Sequence, residues 1–485
     1  MSMFVPLPTP IPIRHGTVDR DGWLAVAGDV ANTGGRLVSL WGGERVVHAA
    51  FAFEDGLAWI ELPLGADARY PDLSHIFPAA VRMQRAAHDL HGIVADGAAD
   101  TRPWLDHGLW QGEAQAREYA FVRVEGDGVH EIPVGPVHAG IIEPGHFRFS
   151  IVGEKVLRLE QRLGYTHKGI ERRFTELSAR DAHRLAGRVS GDSTVAYAWA
   201  YCMALEAAAG CHVSDRAQAL RALLLERERV ANHLGDLGAL GNDAAFGFGL
   251  AQFSRLREDW LRLSMALFGH RLLMDRIVPG GVAVDPDAAA LTRLIEQCDA
   301  LEPALRRLRA IYDEHAGLQD RFIATGRVEP ALAAQLGLTG FAGRASGQAW
   351  DLRCNPPWTP YDRLDVQMAT HRNGDVAARV TVRFDEAFES LRLIRALATG
   401  LPEGPARVEL ELPSGAALGA GWVEGWRGEV FVALQLDGGA IRRCHCHDPS
   451  WQNWPVLEHA VIGNIVPDFP LINKSFNLSY SGHDG

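Results

Sequence analysis

The sequence predicts an α+β multidomain protein: a small α/β domain first, then a helical body that carries a small α+β insertion. Three observations predict it. The chain has 485 residues, more than one ordinary core organises, so two or three domains follow. Short alternating apolar segments occur before residue 112, whereas helical periodicity dominates from about 155 to 325. Strand-like pieces return between about 373 and 447.

Residues 1–112 form the expected N-terminal domain. Leu37 to Trp41 and Leu57 to Leu62 alternate as strands do. Phe77 to Leu90 reads as a helix opened by Pro78, with Gly92 just beyond it. Residues 113–134 read as a linker around Gly126-Asp127-Gly128, leading into Pro133-Val134-Gly135-Pro136. Residues 135–485 make the second body.

Within that body Val195 to Val213 is the most apolar stretch. It carries Glu206 and His212, so it reads as a buried helix and not a membrane span. Ala217 to Leu240 places Leu220, Leu223, Leu224, Val230, Leu234 and Leu237 at helical spacing. Leu250 to Met274 and Ala288 to Ala310 read as two more long helices, and an antiparallel bundle follows. In the insertion, Ala377 to Phe384, Ala406 to Leu412 and Gly428 to Leu436 read as strands. Asp385 to Ala398 reads as a helix between the first two. No internal repeat or low-complexity tract occurs.

Composition narrows the function. Hydrophobic residues at 47% and charged residues at 22% describe a soluble globular chain. With 48 Lys and Arg against 60 Asp and Glu, the net charge is −12. This excludes a nucleic-acid surface and direct attraction to anionic lipid. Met1 to Ile13 is proline-rich without a basic start and an apolar core, so it does not read as a signal peptide. Any membrane association therefore runs through partner subunits.

None of the six cysteines forms a Cys-x-x-Cys pair, which fits reduced cytoplasmic thiols. The one cluster is Cys444-His445-Cys446-His447. On a strand, alternation puts both cysteines on one face and both histidines on the other. One metal hardly collects all four; a structural role and a metal site both stay open.

Longer motifs carry a resemblance. Tyr70-Pro71-Asp72-Leu73-Ser74-His75-Ile76-Phe77-Pro78-Ala79-Ala80 is similar to the accessory hydrophilic subunit of respiratory complex I. That family continues with Glu-Arg-Glu-x-x-Asp-Leu-Phe-Gly. Here Arg85, Asp89, Leu90 and Gly92 agree, while Gln84, Ala86 and His91 depart from it.

From about 130 onward the chain resembles the large subunit shared by complex I and the energy-converting, group 4 nickel-iron hydrogenases. The marks are Gly135-Pro136-Val137-His138, Glu143-Pro144-Gly145-His146-Phe147-Arg148 and His167-Lys168-Gly169-Ile170-Glu171. They continue with Glu228-Arg229-Val230-Ala231-Asn232-His233, Gly343-Arg344-Ala345-Ser346-Gly347, Asp448-Pro449-Ser450 and Pro467-Asp468-Phe469-Pro470-Leu471. Each is weak alone; their order over about 350 residues is specific.

The resemblance implies a hydrogenase-large-subunit-like helical bundle. In hydrogenases two Cys-x-x-Cys pairs hold nickel and iron. The matching positions here are Ser190, Ser193, Ser479 and Gly482. Serine is a hard ligand whose hydroxyl stays protonated, and glycine has no side chain, so no metal is expected in this chain. Complex I large subunits place a quinone-facing tyrosine where Arg188 stands; His138 remains from the shared motif.

What remains is a polar pocket. The implied catalytic residues are His138, Glu143, His146, Arg188 and Asp192, suited to proton transfer or anion binding. The implied cofactor-binding residues are Ser190, Ser193, Asp468, Ser475 and Ser479, with Ser481 nearby. The alternative is a buried network in which these groups satisfy one another, and an Arg188–Asp192 ion pair one helical turn apart would belong to it. Likewise Glu228 and Asn232, with Arg229 and His233, read as interhelical bonds or as part of a coupling path. Tryptophans such as Trp451 and Trp454 read as packing anchors.

As a whole, the resemblance implies a fused subunit of a complex-I-like oxidoreductase. It would work with a small iron-sulfur subunit and antiporter-like membrane subunits, on the cytoplasmic face of the inner membrane. The chain itself would hold no redox cofactor. Quinone is a possible acceptor, ion translocation the coupled work, and NAD binding a property of such assemblies. A catalytically silent coupling subunit is the alternative.

Overall fold

The computed structural model describes residues 4–110, 119–140 and 142–485. The expected boundary at 112 and the start of the linker lie outside them. The N-terminal domain is built on a five-stranded sheet in the order Val5–Pro6, Ile13–Thr17, Gly56–Pro63, Val46–Phe53, Arg36–Gly43. Ile13–Thr17 pairs parallel with Gly56–Pro63, and every other pairing is antiparallel. The parallel pair requires a crossover, which the helix Arg20–Asn32 begins. Asp19 caps that helix by accepting from Gly22 N. The helix Ala80–His91 lies along Arg36–Gly43 and ends at Gly92, whose φ of +67° suits a residue without Cβ. Both predicted strands and the predicted helix are present.

Val129–Val134, inside the stretch read as a linker, is an edge strand. It pairs with His146–Val152, which pairs in turn with Lys155–Arg162. Its polar outward residues and Pro133 hid the pattern; proline is tolerated there because an edge strand has an unpaired side.

The bundle is assembled from Thr194–Ala209, Asp215–Asp243, Gly247–Phe268, Ala288–Glu314 and Val376–Thr399. Thr194–Ala209 is buried on nearly every face, so no amphipathic stripe marks it. It lies on a three-stranded antiparallel sheet of Ala417–Glu424, Glu429–Asp437 and Ala440–His447. Gly419 and Gly421 permit this: a Cβ at either would overlap the Ala204 or Ala200 carbonyl. Gly247–Phe268 stops earlier than expected, because Gly269 turns the chain at φ +79°.

Two predicted strands are corrected. Ala377 to Phe384 is helical, the first part of Val376–Thr399. Asp375 caps it through Ala378 N, and the β-branched valines point into the core on every side, which imitates a buried strand. Ala406 to Leu412 forms only a single bridge, Arg407 to Gly281. Among the described residues, no helix is long and apolar enough to cross a membrane.

Candidate functional site

The two serine windows meet. Ser190 is extended, and Gly191–Ser193 forms a short turn that feeds the helix Thr194–Ala209. Ser479 is the N-cap of Tyr480–Asp484, accepting from Gly482 N at 2.9 Å. Although 289 positions apart in sequence, the Ser190 and Ser479 hydroxyls are 2.8 Å from each other. Ser190 also donates to Asp192 Oδ1 at 2.8 Å.

A cation closes the group. Arg427 donates to Asp192 Oδ2 at 2.5 Å, to Ser193 Oγ at 3.3 Å and to the Asn477 carbonyl at 2.6 Å. Its guanidinium lies over the Trp426 ring at 4.3 Å. Burial works against ionising Asp192, but the Arg427 charge and the hydrogen bonds from Arg427 and Ser190 together outweigh it and hold the carboxyl below its ordinary pKa. The Asp192 carbonyl accepts from Asn232 and from the Trp426 indole.

Asp448 takes the space beside Gly482. It accepts from the buried Tyr197 hydroxyl at 2.7 Å. A Cβ on Gly482 would lie 2.7 Å from Asp448 Cγ and 2.9 Å from Ser479 Oγ. Ser450 accepts from Ser479 N at 2.9 Å, which ties the Asp448-Pro449-Ser450 motif to the same place.

The remaining predicted residues divide. Glu143 reaches the edge of the cluster, where Oε2 accepts from Ser481 N at 3.1 Å. Among the described residues, neither His138 nor His146 bonds to the cluster: His138 bonds the Pro136 carbonyl, and His146 faces the Gly135 carbonyl and the Phe121 ring. The Arg188–Asp192 pair is not formed. Arg188 is exposed and grips Asp275 with two bonds of 2.7 and 2.8 Å, because the intervening turn sends the two side chains apart. Ser475 is buried elsewhere, bonding Arg379 and the Ile472 carbonyl; Asp468 pairs with Arg321 at 3.0 Å.

Sequence reasoning missed Arg427, Trp426 and Asn477. Nothing in their local spacing marks them, since the sheet turn alone delivers Arg427. Asp448 was visible as part of a motif, but its role was not.

Glu228, Arg229, Asn232 and His233 all make interhelical or helix-to-turn bonds. Glu228 accepts from Val195 N and Ala196 N at 2.7 and 3.2 Å, capping the buried helix. Burial pushes its pKa up to about 8, against the pull of those two N–H groups. His233 bonds Glu386 at 2.9 Å, within an ionic network where Glu386 and Glu424 share the fully buried Arg344. In the Cys444–His447 strand, His445 bonds Glu171 and Ser39, and His447 bonds Gln452. Among the described residues, no group of three or more His, Cys, Asp or Glu side chains is placed to hold a metal ion.

Comparison with known proteins places the chain. Residues 246–415 match the family model of the respiratory-chain NADH dehydrogenase 49 Kd subunit, and residues 17–123 match that of its 30 Kd subunit. Formate hydrogenlyase subunit 5 of Escherichia coli is 31% identical, over 91% of this chain and 82% of the relative. The carbon monoxide-induced hydrogenase of Rhodospirillum rubrum is 34% identical, over 72% and 97%.

The chain belongs to the family shared by these hydrogenase subunits and the fused C/D subunit of NADH-quinone oxidoreductase. A C/D subunit from Bacteroides thetaiotaomicron is 30% identical over 76% of each chain. A chain in the solved membrane-bound sulfane sulfur reductase, an archaeal respiratory membrane complex, is also similar. It has a TM-score of 0.69 and 25% identity, and the match covers 74% of this chain and 99% of that one. The present C/D-type chain is thus a subunit of a membrane-associated, complex-I-like and hydrogenase-related complex.

Proposed function

We propose that this subunit is the metal-free scaffold on which a partner's iron-sulfur cluster delivers electrons to an acceptor, coupled to ion translocation. One observation carries the reading. At the four positions where hydrogenases hold nickel and iron, hydroxyls bond to one another, Arg427 neutralises Asp192, and Asp448 occupies the room a side chain at 482 needs. Hard hydroxyl donors beside a fixed cation do not fit a nickel-iron centre.

Chemistry then belongs to the flank and not to the cluster. His138 and Glu143 stand there beside Val137 and Ile142, which are 83% and 44% exposed. Exposed apolar side chains next to polar ones suit a protein partner, here a small iron-sulfur subunit. The acceptor would react between that partner and this flank, with His138, whose Nδ1 bonds the Pro136 carbonyl, presenting Nε2 to it. Quinone is one acceptor class; sulfane sulfur is another, given the similar chain from the sulfane sulfur reductase. Antiporter-like subunits complete the complex, and this chain sits at the periphery of the cytoplasmic face of the inner membrane.

The test uses the purified complex. Elemental analysis returns no nickel; one nickel atom per chain overturns the reading. Electron transfer to quinone analogues or polysulfide falls in His138→Ala. A second reading, a silent coupling subunit, draws on the closed state of the cluster, whose hydroxyls are spent on each other. Turnover that is absent, or unchanged in His138→Ala, selects it.

A further inference from the structure

A cavity of about 150 Å³ opens between the helices Asp215–Asp243 and Gly247–Phe268 and the turn beyond the second. It is too small for a drug-sized molecule and has room for a small ion. Three arginines line it: Arg227 from the first helix, Arg257 from the second and Arg271 from the turn.

Arg227 is fully buried and lacks a counter-charge. Its Nη2 donates to the Trp260 carbonyl at 3.1 Å, to Ser264 Oγ at 2.9 Å and to Gln297 Oε1 at 3.1 Å, all neutral acceptors. Nη1 has no hydrogen-bond partner among the described residues. The Trp260 ring lies 4.1 Å from the guanidinium, a weaker partner than a carboxylate. Burial lowers the Arg227 pKa to about 10, which leaves the group charged at neutral pH. Buried charges are otherwise paired, because an ion without a counter-ion is costly in a low-dielectric interior.

Arg257 has the same deficit and more access to solvent. It is half-buried, and its Nε donates to the Ala231 carbonyl at 3.0 Å. Among the described residues it forms no ion pair. The Arg271 side chain is 48% exposed and holds Glu258 through bonds of 2.7 and 3.0 Å. The carboxyls that line the cavity do not supply the missing charge. Asp192 is already neutralised by Arg427, and Glu228, with its pKa raised to about 8, keeps its proton at neutral pH. The wall therefore carries surplus positive charge, on a chain whose net charge is −12.

We infer that this cavity binds a small oxyanion, of the class of sulfate, phosphate or bicarbonate, held by Arg257 with Arg271 on the exposed side and the buried Arg227 charge behind. A guanidinium fork matches two oxygens of such an ion. Arg227 acts through its field, which a low-dielectric wall screens little, and needs no direct contact. Asp192 is common to this cavity and the serine cluster, but the site does not depend on the acceptor chemistry proposed above.

The test titrates the purified full-length chain with sodium sulfate by calorimetry, with ionic strength held constant by sodium chloride. Sulfate binds saturably, one ion per chain. In Arg257→Gln, which keeps a donor for the Ala231 carbonyl but not the charge, affinity falls about tenfold or more, the share of a charge-assisted hydrogen bond. No saturable sulfate binding in the wild type, or an unchanged affinity in folded Arg257→Gln, overturns the inference. If that variant does not fold, the exposed Arg271→Gln takes its place; weaker sulfate binding is expected, and an unchanged affinity again overturns the inference.

Discussion

The Ser190 and Ser479 hydroxyls are 2.8 Å apart and join the start of a core helix to the cap of the last one. Two long separated segments are thus pinned by one short polar contact. A double-mutant cycle on Ser190→Ala and Ser479→Ala measures it. The coupling is about 0.5–1.5 kcal/mol, and Ser479→Ala alone costs about 1–2 kcal/mol because a cap is lost as well. Zero coupling in urea denaturation would show that the contact contributes nothing.

Gly482 is fixed by Asp448 and not by its backbone. Gly482→Ala places a methyl against the Asp448 carboxyl and destabilises by about 1–3 kcal/mol. Gly482→Cys does the same, so a thiolate cannot be restored there without displacing Asp448. Chemical denaturation checks both; an Ala variant as stable as wild type contradicts the packing described.

Arg427→Met leaves Asp192 without its cation. The Arg427 side chain is 2% exposed, whereas Asp192 keeps 38% and can recruit water. The loss therefore falls near the low end for a broken buried pair, about 3 kcal/mol. A loss under ~1 kcal/mol would mean that Asp192 is already solvated by water in the wild type.

Glu228 sets a pH dependence. Its folded pKa of about 8 exceeds the ordinary 4.5, so the folded chain retains a proton that the unfolded chain releases. The stabilisation is complete below about pH 4.5 and fades as pH rises through about 8. Its size is on the order of a few kcal/mol, because each tenfold gain in proton affinity contributes about 1.4 kcal/mol. Melting temperature should drop between about pH 4.5 and about pH 8 in wild type, with a shallower drop in Glu228→Gln. Parallel profiles for the two proteins would assign the proton elsewhere.

Long amphipathic helices such as Asp215–Asp243 were legible because each leucine advances by a helical step. The N-terminal strands were legible through alternation. Val376–Thr399 was not, since burial on all faces erases the difference between a helix and a strand; its Asp375 cap was the better signal. In the site, motif order located the serines and Glu143. It did not locate Arg427, whose partner lies 235 residues away. Arg188 shows the converse: proximity in sequence to Asp192 gave no contact, because a turn intervenes.

The seam between the two domains bears on synthesis. Ser39 bonds His445 across 406 residues, and Arg36 reaches Glu429 across 393. At roughly 5–20 residues per second, a ribosome needs about 20–80 s to supply those partners. Through that interval the strand Arg36–Gly43 waits with its outer side unmatched, an edge able to pair wrongly with another nascent chain. Translation speed therefore sets how long the outer side of the first domain stays exposed.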